Sequence, residues 1–135
     1  MREILFRGKH SEKSRWDYGD LYIDHGKVYI GSRDIMHGVR VHGEVIPETV
    51  GQYTGLTDKN GTKIFEGDIV KLRLLAAKME WKGVCEYRNG AFGLAWQYAG
   101  QRYSTFAGTC NAEYEVLGNI YDNKELMDAM IEIGS

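Results

Sequence analysis

Proline is almost missing from this chain: Pro47 is the only one in 135 residues. That excludes a polyproline linker or a proline-rich low-complexity tract. Cysteine is nearly as scarce. Cys85 and Cys110 cannot build a disulfide framework, and they lack the spacing of a metal knuckle. A reducing cytoplasm is the simplest setting for them. No apolar run approaches the roughly 20 residues of a membrane span. At the start, Arg2, Glu3, Arg7 and Lys9 surround only Ile4, Leu5 and Phe6. That is too short for the apolar region of a signal peptide, so a soluble, cytoplasmic protein is expected. Net charge is also lacking: the formal total is -2, which supplies no overall basic field for nucleic acid. The length excludes an enzyme with separate cofactor and substrate domains.

Glycine is abundant instead, with 17 residues, and aromatic residues include nine tyrosines and three tryptophans. Average glycine usage is about 7%; this chain has nearly twice that share. Abundant glycine and aromatics with little proline point to tight turns between short strands. Leu21 to Ile23 and Val28 to Ile30 flank His25-Gly26 and read as a hairpin. Gly31 to Gly38 reads as a loop. Val39, Val41 and Val45 share one parity of the segment that follows. Pro47 opens either a short helical turn or an extended connector. Asn60-Gly61 is a two-residue hairpin signal, because both central positions then accept positive φ. Ile69 to Leu75 places Val70, Leu72 and Leu74 on one face, with Lys71 and Arg73 on the other. Trp81, Cys85 and Tyr87 share a face. Asn89-Gly90 turns the chain into a partner strand with Phe92, Leu94, Trp96 and Tyr98 aligned. Arg102 to Phe106 and Tyr114 to Tyr121 are further strands. Near the end, Asp122-Asn123-Lys124-Glu125 places an acceptor side chain three residues before Glu125, the capping-box spacing, and Leu126, Met127, Met130, Ile131 and Ile133 recur at helical intervals.

The expected fold is therefore mainly β (α+β). An N-terminal β subdomain, residues 1–52, precedes an SH3-like, partly open β-barrel with a short C-terminal helix, residues 53–135, in one compact unit.

Candidate chemistry is sparse. Asp58-Lys59-Asn60-Gly61 looks like part of a calcium loop, but the register puts Leu56 and Gly67 at ligand positions, and neither can serve. Glu66 and Asp68 flank a glycine, an arrangement that suits a turn better than a general acid/base pair. His10, His25, His37 and His42 are scattered. No cofactor, metal or catalytic pattern emerges, so the chain reads as a non-enzyme. Small β-barrels bind single strands through aromatics flanked by basic residues. Lys71, Arg73, Lys82 and Arg88 fit one outer face, with Tyr87, Trp96 or Tyr98 near its edge. The same aromatics are better explained as barrel core. The charge is uneven along the chain: Arg2, Arg7, Lys9, Lys13 and Arg15 lie at the head, while the tail from Asn111 is acidic. Such ends attract each other within one chain or between copies, or stand as separately solvated faces.

Three stretches carry a resemblance: REILFRG at 2–8 followed by Trp16-Asp17-Tyr18-Gly19; VIPETVGQYTGLTDKNGTKIFEGDIVK at 45–71; and EVLGNIYDNKEL at 115–126. In order and spacing the chain resembles the YopX-like family of phage and prophage proteins. The resemblance implies a small cytoplasmic protein of phage or prophage origin, and it carries over no activity and no catalytic residues. The resulting expectation is an interaction module that self-associates as a homo-oligomer or meets a phage or host protein. The alternative is a single-stranded nucleic-acid-binding accessory protein.

Overall fold

The computed structural model describes residues 3–76, 78–97, 101–106 and 111–126. The chain divides into two compact units, residues 1–55 and 56–135. Both are built from antiparallel strands.

The first unit contains β1 (Phe6–Lys9), β2 (Trp16–Asp24), β3 (Lys27–Asp34) and β4 (Gly38–Glu44). A 3-10 turn (Pro47–Thr49) leads into β5 (Gly51–Thr57), which runs past the division. The spatial order is β4-β3-β2-β1-β5. His25 and Gly26 both take positive φ, 51° and 78°, as a tight two-residue hairpin requires. The segment after β4 turns back onto β1. Val45 N–H donates to the Val28 carbonyl, Ile46 N–H to that of Lys9, and Ser11 N–H to that of Glu44. Ile30, Val45 and Tyr53 are buried. Gly8 is needed here because a Cβ on it would stand 2.8 Å from the Val45 side chain.

The stretch expected as a loop, 31–38, is mostly hairpin. β3 continues to Asp34, whose Oδ1 accepts the Met36 N–H at 2.8 Å and shortens the connection. The parity expected for the valines is also broken. Gly43 pairs with Ile30 and Val41 with Gly31, which leaves His42 as an extra residue in β4. A bulge of this kind moves the following residues to the other face. Val45 is buried, while Val39 and Val41 are exposed.

The second unit contains β6 (Lys63–Phe65), β7 (Asp68–Leu74), β8 (Met79–Arg88), β9 (Ala91–Gln97), β10 (Gln101–Thr105) and β11 (Ala112–Asn119). Its five-stranded sheet has the order β10-β9-β8-β7-β11. Ile64, Val70, Leu72, Cys85 and Leu94 form the core, with Trp81, Trp96, Phe106 and Tyr114 packed against it. Asn89 and Gly90 take φ of 51° and 83°, so the β8–β9 hairpin has the turn its sequence signals.

Among the described residues no closed barrel forms. β10 and β11 stand at opposite ends of the sheet. The physical reason lies in the turn after β5. Asp58 Oδ2 accepts the Val116 N–H at 2.9 Å, and Lys59 N–H donates to the Tyr114 carbonyl at 2.9 Å. The outer edge of β11 is covered by this turn instead of by β10. Asn60-Gly61 also turns differently from expectation: Gly61 has φ 83°, but Asn60 is not left-handed. Asp58 Oδ1 instead accepts the N–H groups of Asn60 and Thr62, a side-chain-built turn.

After β11, Asn119 and Asn123 lock together. Asn119 N–H donates to Asn123 Oδ1, and Asn123 N–H returns to the Asn119 carbonyl. Residues 124–126 are helical. The remainder of the expected C-terminal helix, with Met127, Met130, Ile131 and Ile133, lies outside the described residues, as do Tyr98 and Cys110.

Candidate functional site

The strand registers place all four basic candidates on one face of the second sheet. Lys71 stands opposite Lys82 on β8, and Arg73 opposite Glu80. Across the other edge of β7, Lys71 meets Glu115 and Arg73 meets Glu113 on β11. Arg88 lies on the same face at the end of β8, two residues from Glu86. Lys71 Nζ is 3.1 Å from Glu115 Oε1, Lys59 Nζ reaches Glu115 Oε2 at 3.8 Å, and Arg88 pairs with Glu86. The Lys71 hydrogen bond, with the charges of Lys59 and Lys71, holds the Glu115 carboxyl below its ordinary range. Basic and acidic side chains thus alternate. Such partly exposed pairs contribute only about 0–1 kcal/mol each.

The aromatics take the core side and not the edge of the charged face. Tyr87 and Trp96 project from the opposite, core-side face. Trp81 and Trp96 pack with ring centroids 6.1 Å apart, and Tyr87 meets Phe92 edge-on at 5.0 Å. Tyr103, not singled out from sequence, lies on the charged face. The Arg88 guanidinium lies 4.9 Å over its ring, and its hydroxyl donates to the Ala91 carbonyl at 2.8 Å. Burial pushes the Tyr103 hydroxyl above its ordinary pKa. Its pairing with Ala95 across β9–β10 depends on the sheet register, which the sequence does not show.

Of the carboxylates flanking Gly67, Asp68 behaves as a turn former. Asp68 is 2% exposed and its Oδ2 accepts the Phe65 N–H at 2.8 Å. His25 and His37 sit beside Asp24 and Asp34 on the surface. His42 Nε2 is 3.2 Å from Ser32 Oγ. Nucleophilic catalysis needs a third group orienting the base, and among the described residues no carboxylate is hydrogen-bonded to His42. Nor do they contain a group of three or more His, Cys, Asp or Glu placed to hold a metal ion. No helix among them is long and apolar enough to cross a membrane.

A polar cluster in the first unit was not anticipated. Asp17 is buried; Arg15 Nε reaches its Oδ1 at 3.1 Å, and its Oδ2 has no hydrogen-bond partner among the described residues. Arg15 also donates to the His42 carbonyl at 3.2 Å. His10 Nδ1 accepts the N–H groups of both Glu12 and Lys13 at 3.0 Å. The imidazole and Asp17 Oδ2 meet at Gly43, where a Cβ would stand 2.6 Å from His10 Nε2 and 3.0 Å from Asp17 Oδ2. The signal available in the sequence was an acid at a core-facing parity of β2, shared with Gly19 and Leu21.

The β3–β4 hairpin concentrates exposed apolar side chains. Ile35 and Met36 at its tip are 103% and 83% exposed, and Val39 and Val41 on β4 are 51% and 53% exposed. β4 has a strand neighbour on one side only.

A family model described as YopX protein matches residues 5–128. The fold is similar to that of a crystal structure of protein EF1440 from Enterococcus faecalis, with a TM-score of 0.54 and 19% sequence identity. The match covers 94% of this chain and 99% of that one. No curated protein matches.

Proposed function

The chain belongs to the YopX family, and from that premise we propose a phage- or prophage-encoded, non-enzymatic interaction module that associates with copies of itself in the bacterial cytoplasm. One observation carries the reading: the β3–β4 hairpin offers an edge strand with Ile35, Met36, Val39 and Val41 exposed together. Edge strands with apolar side chains are templates for pairing, and contiguous exposed apolar side chains mark interaction sites. Light scattering across a concentration series tests it. Masses at multiples of 15.4 kDa are expected, and a strict monomer at high concentration overturns it. Pull-down from infected cells with nuclease treatment separates a phage or host protein partner from nucleic acid. The strand order of the second unit supports reading it as an SH3-like, partly open barrel, because the last strand returns beside the first strand of a four-strand meander.

A second reading is a single-stranded nucleic-acid-binding accessory protein of phage replication or regulation. It is favoured by the shared face of Lys71, Arg73, Lys82 and Arg88 with Tyr103 at hand. The interleaved glutamates oppose it. Anisotropy titration with single-stranded DNA and RNA at low salt decides: salt-sensitive binding supports it, and a flat titration removes it.

A further inference from the structure

The loop between β1 and β2 is tied to one imidazole. Glu12 N–H and Lys13 N–H both point at His10 Nδ1 at 3.0 Å. A nitrogen that accepts hydrogen bonds carries no proton, so the neutral ring bears its hydrogen on Nε2. The ring packs directly on the sheet. Its edge fits against Gly43, leaving no room for even a Cβ, with Asp17 Oδ2 at the same spot. That oxygen is buried and has no hydrogen-bond partner among the described residues. A metal ion does not suit the pair, since Nε2 would have to lose its hydrogen while Nδ1 stays occupied. A second proton on the ring has one place to go, Nδ1. It would turn the acceptor into a donor facing two donors.

The same loop covers the end of the β4 edge. Ser11 N–H donates to the Glu44 carbonyl, and Arg15, where the loop ends, donates to the His42 carbonyl. We propose that His10 is a proton-operated latch: neutral, it holds residues 11–14 against the end of β4, and protonated, it releases them. The charged groups around the ring are Lys9 on β1, Glu12 and Lys13 on the loop, Arg15 and Asp17 at the start of β2, and His42 and Glu44 on β4. A protonated ring is an attractive neighbour for the buried Asp17 carboxylate, so the loop moves and the ring stays. Release lengthens the bare edge of β4 toward Glu44. That last consequence rests on the self-association reading; the latch does not.

The test is NMR on the intact protein. At neutral pH the His10 imidazole ¹⁵N shifts should show the Nε2–H form. One pH unit below the His10 midpoint, the protonated ring outnumbers the neutral one about tenfold. Amide protection at Glu12 and Lys13 should fall by about that factor, while Ile30 and Val45 keep theirs. His10→Asn supplies a side-chain oxygen acceptor at any pH, so the variant should keep loop protection through the same range. An Nδ1–H form at neutral pH, or loop amides that stay protected while His10 titrates, overturns the latch. Light scattering on the same samples reads self-association separately. Loop release without a change in mass sinks only the consequence for the β4 edge.

Discussion

At the scale of single residues, Asp58 shows how one side chain can organise distant strands. Its two oxygens satisfy Asn60, Thr62 and Val116, the last 58 residues away. Burial raises its pKa, but the N–H donors of Val116, Thr62 and Asn60 outweigh burial and lower it. A lowered folded pKa means stabilisation that is fully present above the unfolded value of about 3.9 and lost as pH falls through the folded one. Asp58→Ala should cost about 3 kcal/mol at pH 7 in a urea titration, because buried donors are left unsatisfied. Asp58→Asn should show a shallower loss of stability below pH 4 than the parent. Gly93 is a second sensitive position. A Cβ there would lie 2.4 Å from the Ser104 carbonyl oxygen and 2.9 Å from the Thr105 Cα. Backbone atoms of a paired strand cannot step aside, so Gly93→Ala should lower stability by about 2 kcal/mol, read as a shift in the denaturation midpoint. The Asn-Gly pairs show what a sequence signal leaves open. At Asn89-Gly90 nothing competes with the hairpin turn. At Asn60-Gly61 the nearby Asp58 captures the backbone amides and selects a different turn.

At the scale of elements, period-two alternation was readable wherever a strand kept perfect register. β7, β8 and β9 present the faces their sequences announce, which is why the basic candidates share a face. β4 was not readable in this way. Its bulge at His42 separates Val39 and Val41 from Val45, and no local signal marks a bulge that exists to bring Val45 back onto β1. The exposed pair of valines is the testable outcome. Val41→Lys should change stability by no more than about 0.5 kcal/mol, as expected for an exposed site. It should also shift the light-scattering mass toward 15.4 kDa. On the charged face, Lys71→Ala or Lys82→Ala should leave folding nearly unchanged, since exposed ion pairs contribute little. Under the nucleic-acid reading each substitution weakens binding and reduces its salt dependence by about one released counterion. Under the self-association reading neither changes the mass.

At the scale of the whole molecule, the chain divides into two β units. Its backbone matches a solved fold at 19% identity, so the architecture survives wide changes in side chains. Turn residues, apolar alternation and the family motifs were sufficient for the β class, most hairpins and the aromatic core of the second unit, because these depend on neighbours a few positions apart. Other features are set by contacts between residues far apart in the chain. The second sheet stays open because the Asp58 turn reaches β11. Tyr103 joins the charged face through the β9–β10 register, and glutamates from β8 and β11 interleave with the basic residues. The His10–Asp17 cluster forms where β1, β2 and β4 converge on Gly43. Local pattern cannot specify which strands become neighbours. That choice follows from burying most apolar faces and pairing most strand edges at once.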